Sequence, residues 1–337
     1  MSAVMWLPKL TTVLPQTAQA SWPQIQQSLR QYFQNQEYGH YVPAVSEVQA
    51  TVLSSVTTPN QVSRRYQCTV QLAEGRSVSW PFRCSEPRTP GPHPVVVWID
   101  FGKQQLSLRV ASDALISQGY AVVSVTHNDI TRDQADCSGV ACLSDELAVS
   151  ADRRGGKLAM WAWAAQRLMD WIVASGRFDL NKTAVVGHSR LGKTALLVGL
   201  LDPRFKVVVA NASGCCGASL FRGSQGESIK HIQTEFPYWF APRFLSSDAL
   251  PVYDQQLLLA AIAPRAVMLT CAVSDPYSDY RAEYQSLREA RRLAAQHLVN
   301  WDRENFAFHL RPGGHALTVV DWRAIRAFLQ RQFGDEG

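Results

Sequence analysis

A serine, an acid and a histidine in that order along a chain can carry out nucleophilic acyl transfer. Ser189 lies in VVGHSRLGKTAL (185–196), where a short apolar run gives way at once to good helix formers. A strand-turn-helix elbow of this kind presents the hydroxyl beside the first backbone N–H groups of a helix, whose dipole favours developing negative charge. A serine hydroxyl is a weak nucleophile and needs a base to take its proton. Downstream, Asp275 follows the apolar run AVMLTCAVS, and His315 sits in the glycine-rich RPGGH. Both stand where an apolar run ends, and the loops at the strand ends of a parallel sheet carry function. The set reads as Ser189 for nucleophile, His315 for base and Asp275 for the carboxylate that orients the base. Each has a rival. Ser189 is also a good helix N-cap. Asp279 competes with Asp275 and equally suits the cap of the helix that follows. His309 competes with His315 but fits strand alternation, and His188 is expected to pack beside the elbow. The elbow itself departs from G-x-S-x-G, because Leu191 stands at the second glycine and Gly192 follows it.

The elements that must position these residues are legible in the hydrophobic period. VVVWID (95–100), AVVSVT (121–126), TAVVG, KVVVANASG and AVMLTCAVS are apolar runs of the kind found in strands buried on both faces. Between them lie helical stretches: SLRVASDALISQG ending at Gly119, the almost wholly apolar KLAMWAWAAQRLMDWIVAS, VYDQQLLLAAIA, and a helix from about Tyr280 to His297. TVVDWRAIRAFLQRQF closes the chain. Ser21 to Phe33 reads as an amphipathic helix capped by Ser21, with Ile25, Leu29, Tyr32 and Phe33 on one face. Residues 46–84 alternate instead, as antiparallel strands and hairpins do. The pattern predicts an α/β fold with a mostly parallel central sheet covered on both faces and antiparallel N-terminal strands. With no internal repeat or linker, residues 1–337 read as one domain, 1–45 forming a helical extension.

Composition excludes several other classes. The 337 residues carry a net charge of only +5, with basic residues scattered, which argues against a nucleic-acid surface. No apolar stretch approaches the length of a membrane span. The N-terminus ends in an A-x-A-like pattern but lacks a basic start and is broken by Pro8 and Lys9, so it makes a poor signal peptide. The seven cysteines have no zinc-finger spacing. Cys137 with Cys142 and Cys68 with Cys84 are the pairings worth testing, while Cys215, Cys216 and Cys271 look like core positions.

GHSRLGKTAL resembles the nucleophile motif of the glucuronoyl esterases, carbohydrate esterase family 15, particularly the bacterial branch. The likeness continues in order through WAWAAQRLMDWI, LDPRF, NASGCCGASL, GES, FPYWF, LPVYDQQLLLAAIAPR and HLRPGGHALTVVDW, covering roughly residues 155 to 325. It implies a three-layer α/β-hydrolase and hydrolysis of (4-O-methyl-)glucuronic acid esters, such as those joining xylan to lignin alcohols, with no metal or organic cofactor. It also implies that Arg190 faces the oxyanion and that Lys193 and Glu227 hold the uronate hydroxyls. Three positions depart from the family. Ala212 stands where many members carry the triad glutamate, which leaves Asp275 as the acid. Tyr277 replaces a tryptophan that covers the sugar, and Tyr238 replaces a frequent histidine. The alternatives are an acetyl-xylan or general carboxylesterase with the same triad, a non-catalytic carbohydrate-binding descendant, and a cytoplasmic hydrolase of a small ester. The resemblance suggests export; the N-terminus does not, and oligomeric state has left no trace in the sequence.

Overall fold

Runs rich in Val and Ile form strands because their branched side chains pack well on a pleated surface, and a run apolar on both faces must be covered on both. The computed structural model follows that rule and describes residues 7–17, 19–43, 45–73, 75–102, 106–146, 149–246 and 249–334. Part of the A-x-A-like N-terminal segment lies outside those residues. Among those described, the strands are β1 (Val45–Thr57), β2 (Gln61–Leu72), β3 (Ser77–Pro87), β4 (His93–Asp100), β5 (Ala121–Thr126), β6 (Phe178–His188), β7 (Val207–Asn211), β8 (Ala266–Ala272) and β9 (Phe306–Arg311). They form one sheet in the order β1-β2-β3-β5-β4-β6-β7-β8-β9. Pairs from β1 to the β3–β5 contact are antiparallel, and those from β5 through β4 to β9 are parallel.

Period-2 alternation divides the apolar residues of each central strand between two layers. Val95, Val97 and Ile99 of β4 join the larger core, and Val96 and Trp98 join the smaller. The smaller core is closed by the helices Leu106–Ile116 and Val319–Phe333, through Leu115, Ile116, Trp322, Ile325 and Phe328. The larger is closed by Trp22–Phe33, Lys157–Ser175, Arg190–Leu201, Gln256–Ile262 and Tyr280–His297. The result is a three-layer sandwich of the α/β-hydrolase type. Lys157–Ser175 is buried almost all round, including Trp161 and Trp163, as its composition requires. Trp22–Phe33 carries a capping box between Ser21 and Gln24. The helix after β4 ends at Ile116, short of Gly119, which turns the chain at φ +87°.

The order β5-β4-β6 marks where the chain reverses its direction of winding. Crevices outside the carboxyl ends of strands open at such a point. Ser189 follows β6, Phe101 and Gly102 follow β4, Asp275 follows β8 and His315 follows β9, so all of them lie along that edge.

Neither candidate disulfide forms; all seven cysteines are free thiols. Cys68 pairs in register with Trp80, and Cys84 with Arg64, so the two cysteines are four residues apart along the hairpin. That is roughly 13 Å at the rise of a strand, about twice the Cα separation a disulfide spans. Cys142 directs its thiol to the Gly139 carbonyl at 2.7 Å rather than to Cys137. Cys215, Cys216 and Cys271 are buried.

Candidate active site

The elbow between β6 and the helix Arg190–Leu201 holds Ser189 at φ +57°, ψ −126°. A side chain held there costs roughly 1–3 kcal/mol, a strain characteristic of functional turns. Two close approaches force it. A Cβ at Gly187 would lie 1.9 Å from the Leu191 carbonyl oxygen. At Gly192 a Cβ would meet the Asn211 oxygen and Ser213 Cβ at 3.1 Å. Leu191, where the usual motif has glycine, is fully buried, so the tight contact moves one residue on. The Ser189 amide donates to the Asn211 carbonyl at 2.8 Å, tying the turn to the end of β7. No side-chain cap bond is made by Ser189.

Its hydroxyl instead lies 2.8 Å from His315 Nε2, and His315 Nδ1 lies 2.7 Å from Asp275 Oδ2. Asp275 Oδ1 accepts from the amides of Tyr277 at 2.9 Å and Ser278 at 3.1 Å. Burial pushes the Asp275 carboxyl up, but the His315 bond and the two amides outweigh it and hold it below the usual aspartate range. Asp279 caps the helix Tyr280–His297 with Oδ1 on the amides of Arg281 and Ala282, and Oδ2 takes the Gln225 amide. Its carboxylate is therefore committed elsewhere. His309 sits within β9, paired in register with Thr270. Ala212 offers only a methyl group at φ +46°.

His188 packs at 4.7 Å from the His315 ring, and its Nδ1 meets Asn211 Oδ1 at 2.6 Å. Burial and the neighbouring His315 lower its pKa to about 4, so it stays neutral beside the row. Asn211 is itself fully buried and is held by Thr270. Nothing in the sequence distinguished that asparagine from any other strand-end residue.

Arg190 packs among rings, its guanidinium carbon 4.8 Å from the centroid of Trp239, 5.3 Å from Phe236 and 5.7 Å from Phe101. Nη1 forms an ion pair with Asp133 Oδ2, and the buried Nε–H has no partner among the described residues. Asp133 escaped the sequence reading because it sits in the long loop after β5, without a motif around it. Lys193 is almost wholly buried, unlike a solvated lysine. Its Nζ donates to the Ser213 carbonyl at 2.6 Å and lies 3.7 Å from Glu227 Oε2. The Glu227 amide donates to the Tyr277 carbonyl at 2.8 Å, so Lys193, Glu227 and Tyr277 meet around the Ser213–Gly214 turn. The half-exposed Tyr277 ring stands edge-on to His315 at 5.1 Å. Tyr238 directs its hydroxyl to the Asp133 carbonyl at 3.1 Å. Among the described residues, no group of three or more His, Cys, Asp or Glu could hold a metal ion, and no helix is long and apolar enough to cross a membrane.

The family described as "Glucuronyl esterase, fungi" matches residues 69–293, about two thirds of the chain. The carbohydrate esterase MZ0003, from an unknown prokaryotic organism, is 35% identical over 226 residues, covering 61% of this chain and 52% of that protein. A 4-O-methyl-glucuronoyl methylesterase from Podospora anserina is 28% identical over 267 residues, covering 74% of this chain and 51% of that protein. The chain thus spans about half the length of these curated relatives. The solved family 15 glucuronoyl esterase of Caldicellulosiruptor kristjansonii superposes at TM-score 0.78 with 27% identity, over 97% of this chain and 90% of that one. A promiscuous family 15 esterase from a marine bacterial metagenome shares the fold at TM-score 0.81 and 24% identity, over 97% of both chains. With the motifs from WAWAAQRLMDWI to LPVYDQQLLLAAIAPR inside the matched span, this chain belongs to the glucuronoyl esterase family, carbohydrate esterase family 15.

Proposed function

We propose that this protein is a serine esterase that hydrolyses carboxylic esters of glucuronic and 4-O-methyl-glucuronic acid. The observation that carries the reading is the hydrogen-bonded row Ser189–His315–Asp275 on a strained elbow. Ser189 Oγ attacks the ester carbonyl carbon while His315 Nε2 takes its proton. The tetrahedral oxyanion is met by the Arg190 backbone N–H and by its guanidinium. A fixed donor there stabilises charge that exists only in the transition state, and such charge stabilisation accelerates the step. Asp275 stabilises the imidazolium without taking its proton. Collapse expels the alcohol, which leaves with the proton from His315. Water then attacks the acyl-enzyme by the same route, releasing the uronate and restoring Ser189.

The acyl side is read by Lys193, Glu227 and Tyr277. A buried ammonium beside a carboxylate gives donors and an acceptor for sugar hydroxyls, and the tyrosine gives a ring face. Glucuronoxylan esters in plant cell walls are the polymeric context, and a wall polymer is met outside the cell, so export goes with this reading. No cofactor takes part. The test is turnover of benzyl glucuronate against 4-nitrophenyl acetate by the wild type and Ser189→Ala. Glucuronate turnover that disappears in Ser189→Ala supports the reading. Turnover of the acetate alone would replace it with a general carboxylesterase, and glucuronate binding without turnover of either would replace it with a carbohydrate-binding protein.

A further inference from the structure

The strongest polar contact of Arg190 is to a residue outside the catalytic row. We infer that Asp133 is a positioning residue, a carboxylate that fixes the Arg190 guanidinium so that its free N–H edge serves the oxyanion; this rests on the esterase reading of the site. Both carboxylate oxygens of Asp133 are occupied. Oδ2 takes Arg190 Nη1, and Oδ1 takes the Trp239 indole N–H at 2.7 Å. With one donor on each oxygen, the carboxylate is held at both ends and cannot turn away from Arg190. Its contribution is orientation.

The same contacts hold the guanidinium in place. Asp133 ties one terminal nitrogen, while the rings of Trp239, Phe236 and Phe101 pack around it. Trp239 therefore acts twice, through its ring on Arg190 and through its N–H on Asp133. Nε–H is buried and has no acceptor among the described residues, so the contacts with Asp133 and the rings are what hold the group. A lone surface ion pair would not fix an arginine, since the long side chain has many rotamers and solvent screens the charge. Here the side chains of Asp133 and Arg190 are 12% and 27% exposed, so the pair is largely shielded.

The loop that presents Asp133 is itself pinned. Lys157, buried at the start of its helix, donates to Thr131 Oγ1 at 2.7 Å and to the Asp136 carbonyl at 2.9 Å. Trp161 Nε1 donates to the Thr131 carbonyl at 3.1 Å, and the Asp133 amide donates to Asn128 Oδ1 at 2.8 Å. Tyr238 closes the other side on the Asp133 carbonyl. The carboxylate is thus delivered by a preorganised frame, which is what an electrostatic device needs to avoid reorganising during the reaction.

The test is a double-mutant cycle of Asp133→Asn and Arg190→Ala, reading kcat and KM with 4-nitrophenyl acetate and with benzyl glucuronate. A fluorophosphonate adds a second reading through the rate at which it labels Ser189, because that adduct develops the same oxyanion without requiring any particular ester. Asp133→Asn should lower kcat about 10²-fold, the lower end of the loss of one oxyanion donor, with KM changed less than about threefold. In the Arg190→Ala background the same change should cost less than about threefold, because a positioning residue acts only through what it positions. Guanidinium ion added at millimolar concentration should restore turnover to Arg190→Ala but not to the double variant. Should Asp133→Asn fail to fold, Asp133→Glu keeps the charge and shifts the guanidinium, and is expected to lose kcat in the same pattern. An equal loss in both backgrounds, or an unchanged kcat in Asp133→Asn, overturns the inference. Labelling by the fluorophosphonate with no glucuronate turnover overturns only the substrate reading. No reaction of the wild type with any of the three reagents overturns both.

Discussion

Asp275 and Glu37 are two carboxylates taken out of water, and their pKa values move in opposite directions. Asp275 faces an imidazole that can become a cation and accepts two backbone amides, and it is held below the usual aspartate range. Glu37 is fully buried at a π-bulge that ends the first long helix. Its donors are neutral: Tyr253 OH at 2.9 Å and Gln255 Nε2 at 2.9 and 3.1 Å. Burial dominates there, with Asp254 adding repulsion, and its pKa rises to about 7. A buried carboxylate stays charged where its surroundings supply compensating charge and polarised amides, and it takes up a proton where they supply only neutral hydrogen bonds. The first arrangement suits a group that must stabilise a cation in the transition state. The second suits a group that joins the N-terminal helix to the segment Tyr253–Gln255.

The largest expected effect falls on the charged carboxylate. Asp275→Asn should lower kcat roughly 10⁴-fold with the fold intact, the loss seen when the equivalent aspartate of serine proteases is changed. Steady-state rates and a melting curve on one preparation check it, and a near-normal rate would end the contrast. The next effect falls on Glu37. With its folded pKa raised above the unfolded value, it contributes stability present below about pH 4.5 and lost as pH rises through about 7. Glu37→Gln removes that loss. Between pH 4 and pH 8 the variant should gain about 3 kcal/mol relative to the wild type, from about 1.4 kcal/mol per pKa unit. The buried Gln255 Oε1, which has no partner among the described residues, can then accept the new amide if the Gln255 side chain flips. Urea titrations at the two pH values measure the difference, and parallel curves would mean that Glu37 is already charged. His188 has the opposite sign, its contribution being present above pH 6.5 and lost as pH falls through about 4.

Asp279→Asn sharpens the contrast from outside. Asn keeps the cap, so kcat should stay within about threefold, whereas Asp279→Ala should cost about 1 kcal/mol of stability with kcat little changed. A drop in kcat comparable with Asp275→Asn would move the acid to Asp279. The smallest effect is expected at Tyr277→Trp, which enlarges the half-exposed ring beside His315. KM for the glucuronate ester should fall about two- to fivefold, with kcat nearly constant, as added apolar contact area favours binding.

Much of this was legible before any coordinates. The runs VVVWID and AVVSVT became β4 and β5, and the helix expected over Tyr280–His297 has those bounds. Strand and helix periods are properties of neighbouring residues, so short windows carry them. The exceptions have specific causes. β6 starts at Phe178, well before TAVVG, because Phe178 pairs with His93 of β4 ahead of a register shift that skips to Thr183 opposite Val95, a pairing no local pattern shows. The Cys68–Cys84 bridge failed because hairpin register, invisible in spacing, set the two cysteines apart. Asn211 and Asp133 were missed because neither belongs to a motif. Their importance comes from contacts to His188 and Arg190, 23 and 57 residues away.

The sequence by itself determined the order of the elements, the elbow residue types from Gly187 to Lys193, and the presence of a serine, two candidate acids and two candidate histidines in a usable order. Tertiary structure decided which of them meet. It brought His315 to Ser189 across 126 residues and Asp275 to His315 across 40. It spent Asp279 on a helix cap, buried Lys193 against Glu227, and gave Arg190 its partner in a loop. Local pattern fixes what a segment can be. Which side chains share a site is set by sheet order and by the crevice at the reversal between β4 and β6, and those depend on packing the whole chain at once.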